Sequence, residues 1–98
     1  MKIPDILAQK RPAFSFEFFP PKTDEDAAHL LATARQLKEL DPAFISVTWG
    51  AGGSTRRKTL DIVSAVKKDL GVETMAHLTC VGASREDIDG VLAEIRER

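Results

Sequence analysis

The sequence has a single cysteine, Cys80, among its 98 residues. One cysteine cannot form a disulfide within the chain, and this is typical of proteins in a reducing compartment. Basic and acidic residues are nearly equal in number, 14 and 15, and leave a net charge of -1. This balance gives no electrostatic reason to expect a nucleic acid or an anionic membrane as the partner.

The sequence also lacks a long apolar run, since no stretch approaches the roughly 20 residues that a membrane-spanning helix needs. Pro4, Asp5 and Gln9 stand where a signal peptide would have its apolar core. Low-complexity segments and obvious linkers are absent as well. With 43% apolar and 30% charged residues, we expect one soluble globular unit in the cytoplasm.

Three short apolar or β-branched runs recur along the chain. They are "AFSFEFF" from Ala13, "AFISVTWG" from Ala43 and "TMAHLTCVG" from Thr74. Each run is typical of a strand, and each is followed by turn residues and then by a helical pattern. The spacing of about 30 residues is the length of one strand-plus-helix unit. The sequence therefore predicts a β-α-β-α-β-α chain with parallel strands.

Capping residues and apolar stripes predict three helices. Thr23 and Ser84 can cap the first and the third, each with an aspartate three residues later. The second is predicted to begin near residues 54–55 and to end at Gly71, a natural left-handed cap. The stripes consist of Ala27, Leu30, Leu31, Ala34, Leu37 and Leu40, then Leu60, Val63, Val66 and Leu70, then Ile88, Val91, Leu92 and Ile95. Residues 1–8 are compatible with a further short helix at one end of the sheet.

Alternation along the strands divides their side chains into two sets. One set is apolar and is predicted to face the helices: Phe14, Phe16, Phe18, Ile45, Val47, Trp49, Ala76, Leu78 and Cys80. The other set is mostly polar: Ser15, Glu17, Phe19, Phe44, Ser46, Thr48, Met75, His77 and Thr79. Because buried parallel sheets normally carry apolar residues on both faces, the second set is expected to face something that accepts polar groups.

The polar set shifts by an odd number of residues from one strand to the next. One repeat length of about 30 residues leads from Glu17 to Val47, whereas the polar positions of the middle strand are Ser46 and Thr48. An odd shift is what a (β/α)8 barrel requires, because eight strands share a shear of 8. An open doubly wound sheet also permits it, so the pattern favours a barrel without excluding the other fold. In a barrel, the C-terminal ends of the strands would carry the active site.

Glu17 is the strongest candidate for chemistry. It stands between Phe16 and Phe18 in a run that otherwise reads as buried, and an ionised carboxylate is costly to bury without partners. Apolar neighbours would favour its protonated form, which can serve as a general acid. For Glu17, a salt bridge or a frayed strand end is the alternative.

His77 lies two strands away and has the same phase along its strand as Glu17. It is a candidate hydrogen-bond donor to a ligand. One histidine and one glutamate do not predict a metal site.

The stretch "GAGGST" at 50–55 lies between a predicted strand and a predicted helix. Glycines at such a place let backbone N–H groups approach a phosphate or a ring oxygen. The stretch does not match G-x-G-x-x-G, and the next strand offers no acidic residue for a ribose. A plain tight turn explains it equally well. The "RRK" at 56–58 is predicted to be solvated, and Cys80 is predicted to be a core residue with no base to activate it.

Three motifs in series resemble the N-terminal part of the 5,10-methylenetetrahydrofolate reductase family. They are "FSFEFFPPK", "FISVTWGAGGSTR" and "MAHLTCVG", and together they extend over nearly the whole chain. The resemblance implies an α/β fold made of the first three βα units of a TIM-type (β/α)8 barrel. It also implies that FAD binds at the C-terminal ends of the strands. NADH or NADPH would then serve to reduce methylenetetrahydrofolate to 5-methyltetrahydrofolate for methionine synthesis.

The resemblance also implies roles for five residues. Glu17 matches the family's catalytic acid, which protonates the folate N10 as the five-membered ring opens and gives an iminium that accepts hydride from reduced flavin. Thr48 matches a threonine close to where the nicotinamide meets the flavin. Trp49, Ala51 and His77 match flavin-contacting positions. Position 49 is often tyrosine in relatives, and Trp49 has no hydroxyl to donate.

We expect residues 1–98 to be an N-terminal fragment, about the first third of the catalytic domain, because such a barrel needs about 250 residues. Three parallel strands leave two open edges, a liability for a monomer. The isolated chain is therefore expected to be inactive, to bind flavin weakly at best, or to associate with copies of itself. Two other functions stay open: a non-catalytic self-associating βα module, and a flavodoxin-like or Rossmann-like nucleotide-binding domain.

Overall fold

The predicted alternation of strands and helices is confirmed in the computed structural model, which describes residues 1–49 and 53–98. The elements are, in chain order, α1 (Ile3–Gln9), β1 (Ser15–Phe18), α2 (Asp24–Leu37), β2 (Phe44–Val47), α3 (Gly53–Ala65), β3 (Thr74–Ala76) and α4 (Arg85–Glu97). A 3-10 turn at Lys38–Leu40 extends α2, and a π turn at Val66–Leu70 extends α3. Within these described ranges, no helix has the length and apolar character that crossing a membrane requires.

The three strands form one parallel sheet in the order β1-β2-β3. Glu17 pairs with Ser46, which in turn pairs with Met75. Glu17 and Ser46 are 29 residues apart, so the odd shift between strands is confirmed and the polar positions share one face. The sequential parallel order is consistent with part of a barrel, although one half of a doubly wound sheet has the same order.

The core lies between the other face of the sheet and helices α2 and α3. Ile45 and Val47 of the central strand are fully buried there, and Phe16 and Phe18 of β1 pack against them. The other buried members of this cluster are Leu30, Ala34, Ile62, Val66, Leu70 and Val72. Phe16, Phe18, Ile45 and Val47 of the apolar set therefore face the helices as predicted, most completely on β2.

The strands are shorter than predicted, and several residues assigned to them lie outside: Phe14, Phe19, Thr48, Trp49 and residues 77–80. Phe14 precedes β1 and is 65% exposed, so its predicted place against the helices is wrong. Leu78 and Cys80 follow β3, and Cys80 is an exposed free thiol rather than a core residue. Phe14 and Cys80 extend beyond β1 and β3, the outer strands of the sheet, where a residue has a neighbouring strand on only one side.

The capping predictions are confirmed for α2 and α4. The N–H of Asp26 donates to Oγ1 of Thr23 at 3.0 Å. Ser84 and Asp87 cap each other reciprocally: the N–H of Asp87 donates to Oγ of Ser84 at 3.1 Å, and the N–H of Ser84 donates to Oδ2 of Asp87 at 2.9 Å. The N–H and the hydroxyl of Ser84 hold the pKa of the Asp87 carboxyl below its usual range.

The other helix boundaries agree with the sequence in position but not in every buried residue. The π turn after α3 ends at Gly71, whose φ of 68° is the left-handed conformation that glycine favours. Leu40 was predicted in the stripe of α2 and is 65% exposed. The α-helix ends at Leu37, so the tighter turn that follows no longer keeps the 3.6-residue period. In α4, Leu92 is 49% exposed although it belongs to the predicted stripe.

The predicted short helix at one end of the sheet is present as α1. Nζ of Lys10, the residue after α1, lies 2.7 Å from Oδ2 of Asp41, which precedes β2. The amino group of Met1 lies 3.6 Å from Oε2 of Glu73, which precedes β3. Both contacts are at the N-terminal side of the strands, so α1 leaves their C-terminal side free of its own residues.

Truncating a buried side chain of the central strand should destabilise the fold far more than truncating an exposed phenylalanine. Ile45→Ala removes a fully buried side chain and is expected to cost about 2–5 kcal/mol of unfolding free energy. Phe14→Ala, in a mostly exposed position, should change it by less than about 0.5 kcal/mol. Urea denaturation followed by circular dichroism measures both. Equal losses in the two variants would show that the assignment of the core face is wrong.

The capping box of α4 should make stability depend on pH in the acid range. A carboxyl whose pKa is lower in the folded chain than in the unfolded chain stabilises the fold at pH values above its unfolded pKa. This contribution is lost as the pH falls through its folded pKa. The stability difference between the wild type and Asp87→Ala should therefore be full at neutral pH and shrink below about pH 4. Asp89→Ala, on the same helix, is the matched control. A stability difference between the wild type and Asp87→Ala that does not change with pH would contradict the role of the reciprocal cap.

Candidate active site

Glu17 lies on the face of β1 opposite to the core. Its neighbours Phe16 and Phe18 point the other way and pack against the core, because adjacent residues of a strand face opposite sides. Phe19 is 82% exposed, and 56% of the Glu17 side chain is exposed as well. The expectation that flanking phenylalanines would surround the carboxylate is therefore wrong for this chain.

Two polar side chains contact the Glu17 carboxylate instead. Oγ of Ser46 donates a hydrogen bond to Oε2 at 3.1 Å, and Nε2 of His77 lies 3.4 Å from the same oxygen. Ser46 is the direct partner of Glu17 on β2, and His77 comes two residues after Met75, the partner of Ser46 on β3. The structure therefore brings Glu17, Ser46 and His77 together on one face, as their shared phase predicted.

Backbone hydrogen bonds fix the residues that follow the strands. The N–H of Thr48 donates to the carbonyl of Phe18 at 2.9 Å, and the N–H of His77 donates to the carbonyl of Val47 at 3.0 Å. The ladder thus continues for one residue beyond the C-terminal ends of β2 and β3. Thr48 and His77 are held at neighbouring positions on this edge of the sheet.

The contact between Glu17 and His77 can hold and exchange a proton. A carboxylate and an imidazole within reach of each other are the usual partners in general acid–base chemistry. The side chains are 56% and 40% exposed respectively, so a ligand can approach them from the open side. The sequence places Ser46 in the polar set, but its hydrogen bond to Glu17 was not predicted. The odd shift between strands could have revealed it, because this shift places Ser46 directly opposite Glu17.

A hydrogen bond links Thr48, which follows β2, to α3. The carbonyl of Thr48 accepts it from Oγ1 of the buried Thr59 at 3.2 Å. Thr48 and His77 are both half-buried, and a hydroxyl and an imidazole can form hydrogen bonds to the polar atoms of a flavin ring. The match of Thr48 to the position near the nicotinamide and the match of His77 to a flavin contact stay predictions.

Trp49 lies against α3. The guanidinium of Arg56 is 5.8 Å from the centre of the indole ring, within the range of a cation–π contact, and donates to the carbonyl of Asp87 at 3.1 Å. Arg56 and Lys58 are half-buried and Arg57 is exposed, so the prediction of a solvated "RRK" is confirmed only for Arg57. Trp49 follows the helix-facing direction that alternation predicted, while its flavin contact stays a prediction.

Ala51 lies outside the described residues, as do Gly50 and Gly52 of the glycine-rich stretch. The predicted flavin contact of Ala51 and the predicted phosphate-type role of "GAGGST" therefore stay predictions. The described part of that stretch begins at Gly53, the first residue of α3.

Comparison with known proteins gives one family over nearly the whole chain. A profile described as "Methylenetetrahydrofolate reductase" matches residues 2–98. Methylenetetrahydrofolate reductase (NADH) 1 of Arabidopsis thaliana is 46% identical over 97% of this chain and 16% of its own length. The 5,10-methylenetetrahydrofolate reductase of Pectobacterium carotovorum subsp. carotovorum is 42% identical over 82% of this chain and 27% of its own length.

The relatives are longer than the region they share with this chain. The 5,10-methylenetetrahydrofolate reductase of Escherichia coli (strain K12) is 40% identical over 76% of this chain and 25% of its own length. The chain thus spans between 16% and 27% of the length of these three relatives. Because the profile covers residues 2–98, the chain belongs to the methylenetetrahydrofolate reductase family.

Proposed function

We propose that this chain carries the acid-bearing part of an enzyme that reduces 5,10-methylenetetrahydrofolate to 5-methyltetrahydrofolate with FAD and NADH or NADPH. The observation that carries the proposal is the contact of Glu17 with Ser46 and His77 on the open face of the sheet, in a chain of this family. The name of the Arabidopsis thaliana relative specifies NADH. For this chain, the choice between the two nicotinamide cofactors is part of the test.

We further infer that the sheet is the first part of a TIM-type (β/α)8 barrel and that residues 1–98 form about the first third of a catalytic domain. Family membership and the sequential parallel order of β1, β2 and β3 support this. In such barrels, reacting groups come from the C-terminal ends of the strands. An exposed free Cys80 fits a reducing compartment such as the cytoplasm.

The chemistry divides between the cofactor and this chain's residues. FAD, when bound, would supply the hydride. Glu17 would hold a proton and deliver it to the folate N10 as the ring opens. His77 would hold the flavin ring beside it, and Thr48 would lie close to where the nicotinamide meets the flavin. A substrate lying over the open face excludes water from Glu17, and loss of water favours the neutral, proton-donating form of a carboxyl group.

Changing Glu17 should separate the reduction of the folate from the reduction of the flavin. In the longest natural protein that carries this chain, Glu17→Gln keeps the shape of the side chain but cannot donate the proton. Reduction of methylenetetrahydrofolate should fall by about 10²- to 10⁴-fold, while reduction of the flavin by NADH or NADPH continues at the normal rate. Stopped-flow measurement of the flavin's visible absorption follows both steps. Loss of both would show that Glu17 has a structural role.

A second candidate function is a non-catalytic module that associates with itself. It is favoured by the outer strands β1 and β3, each of which has one neighbour in the described sheet, and by the exposure of large apolar side chains. Phe14 is 65%, Phe19 82% and Val81 90% exposed. Such surfaces on a sheet edge promote association between chains.

Flavin binding and association by the 98-residue chain should distinguish the candidates. We expect FAD to bind weakly, seen as a change in its visible spectrum that His77→Ala reduces and Asp89→Ala does not. We also expect no bleaching with NADH, because the three strands supply only part of a barrel. Bleaching by this chain alone would contradict the fragment proposal. Concentration-dependent sedimentation with no flavin binding would favour the self-associating module.

A further inference from the structure

We propose that Ser46 is a positioning residue for Glu17, which holds Oε2 of the carboxylate and leaves Oε1 to face the substrate. This inference rests on the proposed function, because it assigns different roles to the two oxygens of the proposed acid. Its basis is that, in the described part of the chain, both polar contacts to this carboxylate go to Oε2. One comes from the Ser46 hydroxyl and the other from the imidazole of His77.

The Ser46 hydroxyl has little freedom to do anything else. Ser46 is 4% exposed, so its hydroxyl cannot turn to bulk water, and a buried hydroxyl is normally hydrogen-bonded. Its backbone belongs to the central strand, which pairs with β1 on one side and β3 on the other. A donor fixed by two strands gives the carboxylate a defined orientation, which a solvated side chain of this length does not have by itself.

The small size of Ser46 also allows Glu17 and His77 to meet. Neighbouring strands lie about 4.8 Å apart, so residues on the two outer strands are separated by about 10 Å at the backbone. Nε2 of His77 nevertheless lies 3.4 Å from Oε2 of Glu17. Both side chains must therefore meet over the central strand, next to Ser46, whose hydroxyl lies 3.1 Å from the same oxygen of Glu17. A longer side chain at this position would occupy the space in which they meet.

This arrangement decides where the proton of the acid resides. Oε2 accepts the hydrogen bond from Ser46 and faces His77, so the neutral carboxyl group carries its proton on Oε1. During the reaction the O–H bond at Oε1 breaks and an N–H bond forms at the folate N10. The electron pair of the cleaved bond between N10 and the bridging carbon stays on N10. The carboxylate that is left keeps its hydrogen bond from Ser46, so its orientation is maintained as the proton leaves.

Two substitutions at Ser46 test this in the longest natural protein that carries the chain. Ser46→Ala removes the donor and keeps the space, whereas Ser46→Cys keeps a side chain of similar shape with a weak donor. We expect kcat for folate reduction to fall about 10- to 100-fold in Ser46→Ala and to lie between this and wild type in Ser46→Cys. The KM for the folate and the rate of flavin reduction should stay close to wild type. Ser15→Ala, an exposed serine on the same face of β1, is the matched control.

A second readout needs no activity. In the 98-residue chain, neutral His77 should carry its ring proton on Nε2, because that nitrogen faces the Glu17 carboxylate. Nitrogen-15 NMR of the histidine ring reports this tautomer directly. Ser46→Ala should increase the Nδ1–H form, since the carboxylate is no longer held in place, and Ser15→Ala should not. Circular dichroism and thermal unfolding establish that each variant is folded.

The outcomes separate this inference from the proposed function. If folded Ser46→Ala keeps full folate reduction and the wild-type tautomer while Glu17→Gln is inactive, the inference is wrong and the proposed function stands. If Glu17→Gln is also fully active, the proposed function itself is wrong. Equal loss of flavin and folate reduction in Ser46→Ala would assign Ser46 a structural role. If Ser46→Ala does not fold, wild-type kinetics and tautomer in Ser46→Cys would overturn the inference.

Discussion

The pairing of β1 with β2 determines which side chains share the candidate active site. Glu17 is opposite Ser46 because Phe16 is opposite Ile45 and Phe18 is opposite Val47. The buried pair Ile45 and Val47 fixes this register, since a slip by one residue would turn the apolar side chains to the open face. The packing of the core therefore places the polar cluster, although the two lie on opposite faces of the sheet.

Features that depend on local periodicity were predictable from the sequence. The reciprocal cap of Ser84 and Asp87 and the left-handed Gly71 follow from residue types at fixed offsets. The proximity of Glu17 and His77 was also predictable, because strands joined by helices run parallel and a shared phase puts residues on one face. The α/β class and the shared face of Glu17, Ser46 and His77 therefore came from spacing alone.

Features that depend on what surrounds a residue were not predictable in the same way. Phe14 and Cys80 have the right phase for the core but lie where an outer strand has ended. The environment of Glu17 was misjudged because its neighbours in sequence are not its neighbours in space. Whether Arg56 would be solvated depended on the ring of Trp49, which lies after β2 and before α3, so the period of neither element relates the two side chains.

The contact between Trp49 and Arg56 has an optical consequence. Trp49 is the only tryptophan of the chain, and its ring lies at the junction of β2, α3 and the start of α4, since Arg56 also bonds to Asp87. The intrinsic tryptophan fluorescence of this chain therefore originates from a single site beside α3. Its emission reports the packing of the indole ring against Arg56, so a loosening of α3 from the start of α4 changes the signal.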